Sequence, residues 1–355
     1  MKSRQYKYLF FITKPYSFPV LEPIQEFIEK NKSGTVCWFT ASNARKYKPP
    51  GRELHSSSEV MNFNPDAVIV PGNIVPDFWP GLKVQIFHGL DDEPKGFYRI
   101  TGFFDLYCTF GPNTTDRFNH LAKRHKNFLV RETGWPKLDP LFLNGSSDEL
   151  TQQQMTENLG FDPRKPIILY APTFPPKYTS APDLLPVFFK LRKVPYQFLI
   201  KFHTLLDQNI QQQYRALKSQ NIKVVEDINI LPYLQIADVL ITDTSSVAYE
   251  YLVLDKPVIT YRAIARKDKG INIQSADDLQ GAIEQSLADP EEYSQNRRHC
   301  LDEIHPYIDG KSSSRVIESI EDILTSSIHK KLKAKPRNYV RKWQIRRLIK
   351  KWERE

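Results

Sequence analysis

The chain has 355 residues, of which 40% are hydrophobic and 12% aromatic, so it is too long for one ordinary domain and too apolar for wholesale disorder. Its net charge of +9 lies in the tail, because residues 330–355 hold 12 of the 50 Lys and Arg but only 2 of the 41 Asp and Glu. The remaining body is close to neutral, so the charge does not mark it as a nucleic-acid-binding protein.

The cysteines and the apolar segments indicate in which cellular compartment the protein is expected. Cys37, Cys108 and Cys300 lie far apart and form no CxxC motif, which favours a reducing compartment and argues against a structural zinc site. The apolar run at 8–12 is too short for a signal peptide, and the sequence has no apolar run of about 18 residues that would span a membrane. We therefore expect a cytoplasmic protein.

Short apolar segments alternate with helical ones in the first half. Residues 18–30 carry apolar side chains at helical spacing, which predicts an amphipathic helix. Strands are predicted at 8–12, 35–40, 67–70, 83–87 and 106–110. This alternation is typical of an α/β fold with a parallel sheet covered on both faces.

The second half repeats the alternation. Strands are predicted at 166–171, 197–202, 222–225, 239–242 and 257–261, and helices at 185–193, 208–219, 246–254, 276–288 and 313–327. The polar segment 144–147 marks a boundary, so we expect two doubly wound, Rossmann-like domains at 1–147 and 148–327, and a basic tail at 328–355. Such domains bind ligands at the carboxyl ends of their strands, so functional residues should directly follow strands and face a central cleft.

The strongest local signal is Thr242-Asp243-Thr244-Ser245-Ser246, which lies between an apolar strand and a predicted helix. Hydroxyl groups and the N–H groups of a helix start can bind phosphate without a metal ion. An ordinary capped turn would look similar, but the number of hydroxyl groups favours phosphate binding. Glu250 lies one helical turn beyond Ser246, where it would either reach a ribose hydroxyl or be solvated.

Two histidines each follow a predicted strand: His88 ends the run 84–87 and precedes Gly89, and His203 ends the run 198–202. A lone histidine is usually structural, but two at strand ends in separate domains favour a shared site. There an imidazole would deprotonate an acceptor hydroxyl or contact a phosphate. The other histidines, at positions 55, 120, 125, 299, 305 and 329, are interpreted as surface residues.

Three further segments carry weaker signals. Thr173 ends the motif Leu169-Tyr170-Ala171-Pro172-Thr173, where it would touch a donor phosphate. The segment 133–139 (Thr-Gly-Trp-Pro-Lys-Leu-Asp) is interpreted as a hinge or a loop at the edge of the donor site. Arg315 follows the turn 309–312 and would either neutralise a diphosphate or be exposed.

These motifs, in this order, resemble the CDP-glycerol glycerophosphotransferase family, the teichoic acid primases and polymerases of GT-B fold. The resemblance covers about residues 80–320. It rests on the following segments: His88-Gly89, 134–139, 168–173, Lys201-Phe202-His203, 231–238, 240–247 and 254–257. The block around Asp243 is the most specific of them.

The resemblance implies a site and a reaction. In that family the histidine corresponding to His88 is taken as the general base, and the one corresponding to His203 contacts donor phosphate. Thr244, Ser245 and Ser246 would hold the diphosphate of CDP-glycerol while an acceptor hydroxyl attacks and CMP leaves, with no metal or other cofactor. The expected donor-binding set is Thr173, Lys201, Thr242, Asp243, Thr244, Ser245, Ser246, Glu250 and Arg315.

The sequence also departs from the family pattern. Thr204 stands where the family usually has proline, Phe174-Pro175 replaces a Trp-Arg pair, and Thr244 replaces a frequent aromatic residue. A glycerol or other polyol phosphate donor and a lipid-linked or polymeric acceptor, in the synthesis of a teichoic acid-like or capsule polymer, are therefore expected. The alternatives are a nucleotide-sugar glycosyltransferase or epimerase, and a non-catalytic assembly subunit.

The basic tail has an amphipathic pattern. Ile345, Leu348, Ile349 and Trp352 share one helical face, and most of the Lys and Arg lie elsewhere. This pattern favours docking to an anionic membrane surface, which would place the protein peripherally on the cytoplasmic face of the bacterial inner membrane. The alternatives are a solvated tail, a helix that packs back on the N-terminal domain, and nucleic acid, for which no reading motif is present.

Overall fold

The computed structural model describes residues 5–90, 98–143, 149–217 and 219–354. The chain divides into two compact units, one formed by residues 1–140 and 304–355 and the other by residues 141–303. The segment 144–147, predicted as a domain boundary, lies outside the described residues. The division differs from the predicted ranges 148–327 and 328–355, because residues from Ile304 onward belong to the first unit.

Close packing explains why the chain returns to the first unit. A Cβ atom at Gly111 would lie 2.0 Å from the carbonyl oxygen of Ile304, so only glycine lets the returning backbone pass at this point. Farther along, the Tyr8 hydroxyl donates to Glu321 at 2.8 Å. Residues 304–327 are thus tied to the N-terminal sheet rather than to the second unit.

Each unit contains one parallel β-sheet, as predicted. The strands of the first unit are β1 (Tyr6–Ile12), β2 (Gly34–Thr40), β3 (Arg52–Glu53), β4 (Ala67–Val70), β5 (Leu82–Gln85), β6 (Leu106–Thr109) and β7 (Leu129–Glu132). Those of the second are β8 (Ile167–Tyr170), β9 (Gln197–Lys201), β10 (Ile222–Val225), β11 (Val239–Thr242), β12 (Val258–Tyr261) and β13 (Ile271–Ile273). The spatial orders are β3-β2-β1-β4-β5-β6-β7 and β10-β9-β8-β11-β12-β13, with parallel pairing throughout.

Helices follow most of these strands. They are α1 (Phe18–Asn31), α2 (Ser57–Phe63), α3 (Pro112–His125), α4 (Glu149–Asn158), α5 (Ala181–Lys190), α6 (Gln208–Arg215), α7 (Leu231–Ile236), α8 (Val247–Leu252), α9 (Leu279–Ala288), α10 (Ser294–Ile304), α11 (Ser312–Ser326) and α12 (Tyr339–Trp352). Alternation of parallel strands with helices confirms the predicted α/β class.

The two cores are built differently. In the first unit, aromatic rings from neighbouring strands and loops interlock, and Phe11 meets Phe39 and Trp79 with ring centroids 5.8 and 5.2 Å apart. In the second unit, aliphatic side chains of β8, β9, β11 and β12 join Phe188 and Tyr214 in one buried cluster. Burial of both faces explains why the central strands read as continuous apolar runs.

The tail forms the predicted amphipathic helix, α12, but its apolar face is covered by the first unit. Ile345 and Ile349 are buried, and the Trp352 ring centroid lies 6.4 Å from that of Phe11. Glu353 accepts the backbone N–H of Ser57 at 2.6 Å. The apolar face of α12 is therefore packed on the N-terminal part of the chain, which was one of the alternatives for the tail. This buried face is not available for contact with a membrane. Within the described residues, no helix combines the length and apolar character needed to cross a bilayer.

Candidate active site

Three loops that carry predicted site residues lie side by side in the second unit. Strand β8 is hydrogen-bonded to β9 on one side and to β11 on the other, and all three are parallel. Their carboxyl ends therefore share one edge of the sheet. Thr173 follows β8, His203 follows β9 and Thr244 follows β11.

The buried carboxylate of Asp243 holds the loop after β8 through hydrogen bonds. Its carboxylate is almost fully buried and accepts the backbone N–H of Thr173 at 2.9 Å, and both the N–H and the hydroxyl of Ser180 at 2.8 Å. Burial raises the pKa of Asp243 to about 6, although these hydrogen bonds act in the opposite direction. Asp243, predicted to bind the donor, is thus engaged by the protein's own donor groups and fixes the loop after β8.

The residues on either side of Asp243 differ in burial. Thr242 is buried and donates its hydroxyl to the carbonyl oxygen of Ala171 at 2.7 Å. Thr244, Ser245 and Ser246 are half-buried, so the hydroxyl cluster lies at the surface of the loop. Helix α8, which begins at Val247, has six residues. A helix this short has a weak dipole, so hydroxyl and N–H groups would supply most of any phosphate contact.

His203 has a defined ring orientation. The backbone N–H of Leu205 donates to its Nδ1 atom at 3.1 Å, so the proton of the neutral imidazole is on Nε2. The ring is stacked on Phe174, with centroids 4.4 Å apart and an interplanar angle of 28°. Phe174 is one of the residues that depart from the family pattern, and its contact with His203 was not predicted.

The remaining predicted residues of this unit are buried. Lys201, the last residue of β9, is 9% exposed, and Glu250, in α8, is 5% exposed. The alternative of a solvated Glu250 is therefore wrong, because α8 turns this carboxylate inward. Contact of Glu250 with a ribose and of Lys201 with the donor stay predictions.

His88 lies at the carboxyl edge of the first sheet. It follows β5 after Ile86 and Phe87, and it is exposed while both of these neighbours are buried. Phe87 has a φ of +58°, a left-handed conformation that is uncommon for a bulky side chain. The ring of Tyr16, which follows β1, lies 5.7 Å from the His88 ring. Sequence reasoning missed Tyr16.

The segment 134–139 contacts this turn, and its role as a hinge or as a loop at the edge of the donor site stays a prediction. Trp135 is fully buried, its indole Nε1–H points to the Phe87 carbonyl oxygen at 3.4 Å, and its backbone N–H donates to His305 Nε2 at 2.9 Å. Asp139 accepts the backbone N–H groups of Ser312 and Ser313 at 2.9 and 2.7 Å. The segment thus joins the start of α11 to the His88 turn.

The interpretation of His305 as a surface residue is wrong. Its side chain is fully buried, and burial lowers its pKa to about 4, so the ring is neutral at physiological pH. The polar residues around it in sequence gave no hint of burial, because burial results from the passage of the returning chain against Gly111.

Arg315 belongs to the first unit, in α11. Its guanidinium pairs with Asp309 in a bidentate manner and lies 4.4 Å from the Tyr307 ring centroid. The Tyr307 hydroxyl in turn donates to Glu132 at 2.7 Å. Arg315 therefore has a structural partner within its own unit, and its contact with a donor diphosphate stays a prediction.

Comparison with known proteins assigns the chain to a family. The model of the family "CDP-Glycerol:Poly(glycerophosphate) glycerophosphotransferase" matches residues 92–322, which is more than half of the chain. The chain belongs to this family. The predicted resemblance is thereby confirmed, and the matched residues include His203 and the loop 244–246.

Relatives of known activity agree with this assignment. The teichoic acid glycerol-phosphate primase of Bacillus subtilis is 26% identical over 245 residues, covering 65% of this chain and 61% of that protein. A teichoic acid poly(ribitol-phosphate) polymerase of Bacillus spizizenii is 29% identical over 352 residues, covering 83% of this chain and 52% of that protein. The chain thus spans about half to three fifths of the length of these family members.

Solved structures show the same fold. The wall teichoic acid polymerase TagF superposes with a TM-score of 0.68 at 17% identity, covering 90% of this chain and 89% of that one. UDP-GlcNAc 2-epimerase of Neisseria meningitidis gives a TM-score of 0.64 at 14% identity, covering 89% and 100%. At such identities the likeness shows the fold alone, and it confirms the predicted fold class for this glycerophosphotransferase family member.

Proposed function

We propose that the chain transfers glycerol phosphate, or a related polyol phosphate, from a CDP-linked donor to a hydroxyl group of a lipid-linked or polymeric acceptor, with release of CMP. The product is a cell-surface polymer of the teichoic acid or capsule type. Family membership supports the class of reaction, and the named products of the relatives include both glycerol-phosphate and ribitol-phosphate polymers.

The main support for the proposal is that the carboxyl ends of β9, β8 and β11 lie at one edge of the sheet. It gathers the half-buried hydroxyl groups of Thr244, Ser245 and Ser246 with Thr173 and with a histidine whose Nε2 carries the proton. Hydroxyl, backbone N–H and imidazole N–H groups are all hydrogen-bond donors, as a diphosphate requires. The edge therefore suits the diphosphate of a nucleotide-linked donor.

His88 is the proposed general base. It accepts the proton of the acceptor hydroxyl, whose oxygen attacks the phosphorus that bears the polyol. The bond from that phosphorus to the bridging oxygen breaks, and CMP leaves with its negative charge stabilised by the hydroxyl and N–H groups that follow β8 and β11. His203 acts there through its Nε2 proton.

The first experiment identifies the donor. Purified protein is screened for thermal stabilisation by CDP-glycerol, CDP-ribitol and UDP-GlcNAc, and CMP release is then measured with a lipid-linked acceptor analogue. We expect stabilisation by a CDP-polyol and CMP release that survives EDTA. Stabilisation by UDP-GlcNAc alone would favour a nucleotide-sugar enzyme, and complete loss with EDTA would contradict the metal-free reaction.

The second experiment tests the phosphate loop. Ser245→Ala with Ser246→Ala should lower donor affinity at least tenfold, because a hydrogen bond to a charged group contributes about 1.5–3 kcal/mol. Ser58→Ala with Ser326→Ala, two exposed helical serines, is the matched control. Equal donor affinity of both double variants by calorimetry would move the phosphate site elsewhere.

We also propose that the outward face of α12 docks on an anionic membrane at its cytoplasmic side. Trp343 is 57% exposed, and Arg347 lies over its ring at 4.7 Å. Lys350 and Lys351 are exposed beside them. An aromatic ring among cationic side chains suits the headgroup region of a bilayer. A lipid-linked acceptor would be met at such a surface.

A further inference from the structure

The peptide bond before His88 is held on both of its sides. The Phe87 ring packs against the rings of Tyr107, Phe110 and Phe118, with centroids 6.2, 6.0 and 5.2 Å away. The backbone carbonyl oxygen of Phe87 accepts the indole Nε1–H of Trp135 at 3.4 Å. This carbonyl belongs to the peptide unit that joins Phe87 to His88, so its direction is one of the factors that set where the His88 side chain points.

The left-handed conformation of Phe87 makes this support necessary. A φ of +58° is unfavourable for a phenylalanine, and it persists only where surrounding contacts hold it. The turn brings His88 to the surface between buried neighbours. The indole donor at the Phe87 carbonyl favours one orientation of this peptide unit, and a change in that orientation would shift the imidazole.

Trp135 is itself fixed from three directions. Its backbone N–H donates to the buried His305, and the Lys137 ammonium lies 5.2 Å from its ring. The preceding Gly134 has a φ of +76°, and a Cβ atom there would lie 2.4 Å from the Ser312 hydroxyl oxygen. The start of α11, the segment 134–139 and the His88 turn therefore form one rigid arrangement inside the first unit.

We propose that Trp135 is a positioning residue for His88, acting through its indole hydrogen bond to the Phe87 carbonyl, and that His305 fixes Trp135. This proposal rests on the proposed function for its effect on turnover, because it assumes that His88 is the base. At 3.4 Å the indole bond is longer than an ordinary N–H···O hydrogen bond, so its loss should change overall stability little.

The test compares two buried tryptophans. Trp135→Phe removes the indole donor and keeps most of the ring. Trp38→Phe is the matched control, because Trp38 is also fully buried in the first unit and donates its Nε1–H to Gln25 at 2.6 Å, not to the turn that carries His88. Both variants lose one indole hydrogen bond, so a general effect on stability is common to them.

We expect Trp135→Phe to lower kcat by about 10–100-fold, the usual cost of a small misplacement of a catalytic group, with an unchanged KM for the donor. The control should keep near-normal kcat. In parallel, the His88 imidazole is followed by NMR of histidine-labelled protein, with His88→Gln used to assign its signal. The titration midpoint and shift of His88 should change in Trp135→Phe and not in the control.

A second pair of variants covers the case in which Trp135→Phe does not fold. His305→Gln keeps an acceptor for the Trp135 N–H and should retain kcat, whereas His305→Leu removes it and should lower kcat. Equal kcat in both tryptophan variants, with an unchanged His88 signal, would overturn the proposal. If wild-type protein releases no CMP from any donor, the proposed function fails, and the NMR comparison alone decides whether Trp135 positions His88.

Discussion

The Asp243 carboxylate supports the loop after β8, and its predicted contact with a donor stays a prediction. Both of its oxygens accept hydrogen bonds from the loop after β8, so it positions Thr173 from inside the protein. Its neighbours Thr244, Ser245 and Ser246 are more exposed and carry the candidate contacts. The sequence motif therefore combines one structural carboxylate with three outward hydroxyl groups.

Replacement of Asp243 by asparagine should destabilise the second unit. An amide NH2 group would face the N–H of Thr173 or Ser180, and each buried group left without a partner costs about 1–3 kcal/mol. Ser180→Ala, which removes one hydroxyl donor and keeps the backbone N–H, should cost less. Urea unfolding at pH 7.5 measures both, and an unchanged free energy of unfolding for Asp243→Asn would contradict this role.

The pH dependence of stability should contain two opposite contributions. The pKa of His305 falls from 6.5 to about 4 on folding, so its contribution is complete above 6.5 and is lost as the pH falls towards 4, about 3 kcal/mol in all. The pKa of Asp243 rises from 3.8 to about 6, so the folded state gains a similar amount, about 3 kcal/mol, as the pH falls through this range.

Single variants should separate the two contributions. His305→Gln removes the first, so its free energy of unfolding should rise on acidification from pH 6.5 to 4. Asp243→Asn removes the second, so its free energy of unfolding should fall more steeply than that of the wild type. Urea titrations at several pH values measure both slopes, and identical slopes in all three proteins would show that neither group is as buried as described.

The residues of the candidate site that were predictable from the sequence are those that directly follow a strand. His88, His203 and Thr244 each come after an apolar run, and the structure puts them there. Their chemical roles stay predictions. Tyr16 beside His88 and Phe174 beside His203 were not predictable, because these ring contacts join segments far apart in sequence.

At the scale of elements, prediction succeeded where strands are buried on both faces. β8 and β11 are fully buried and read as apolar runs, whereas the edge strands β3, β7 and β13 were missed and, of the edge strands, only β10 was predicted. β3 has two residues, and β7 is half-buried and carries Arg131 and Glu132. An edge strand packs less apolar surface, so its hydrophobic pattern is weak.

The sequence defined the faces of α12 but not what covers its apolar face, because a membrane and a protein core both favour the same side chains. Ile349→Ala should lower the free energy of unfolding by about 2–5 kcal/mol, the usual cost of a cavity at a buried isoleucine. Val340→Ala on the same helix, where Val340 is 71% exposed, should change it by less than about 0.5 kcal/mol. Equal stability of the two variants by chemical denaturation would mean that α12 is not packed on the first unit.

At the scale of the whole molecule, the excess positive charge is concentrated in the tail. Residues 330–355 carry the excess of basic residues, and the rest of the chain is nearly neutral. Since α12 covers part of the core, removal of 330–355 would expose apolar surface and destabilise the first unit. Charge reversal on the outward face is therefore the sharper test of membrane docking.

Arg347→Glu, Lys350→Glu and Lys351→Glu together should release the protein from anionic vesicles, because each basic residue near such a surface contributes about 1 kcal/mol. Lys30→Glu, Lys48→Glu and Lys193→Glu reverse the same number of exposed charges elsewhere and should keep vesicle binding.

Wild-type binding should weaken with salt, since the screening length falls from about 10 Å at 0.1 M to about 3 Å at 1 M. Co-sedimentation with phosphatidylglycerol vesicles measures binding, and both triple variants should release CMP normally with a soluble acceptor analogue. Equal sedimentation of the two triple variants would place the membrane contact outside α12.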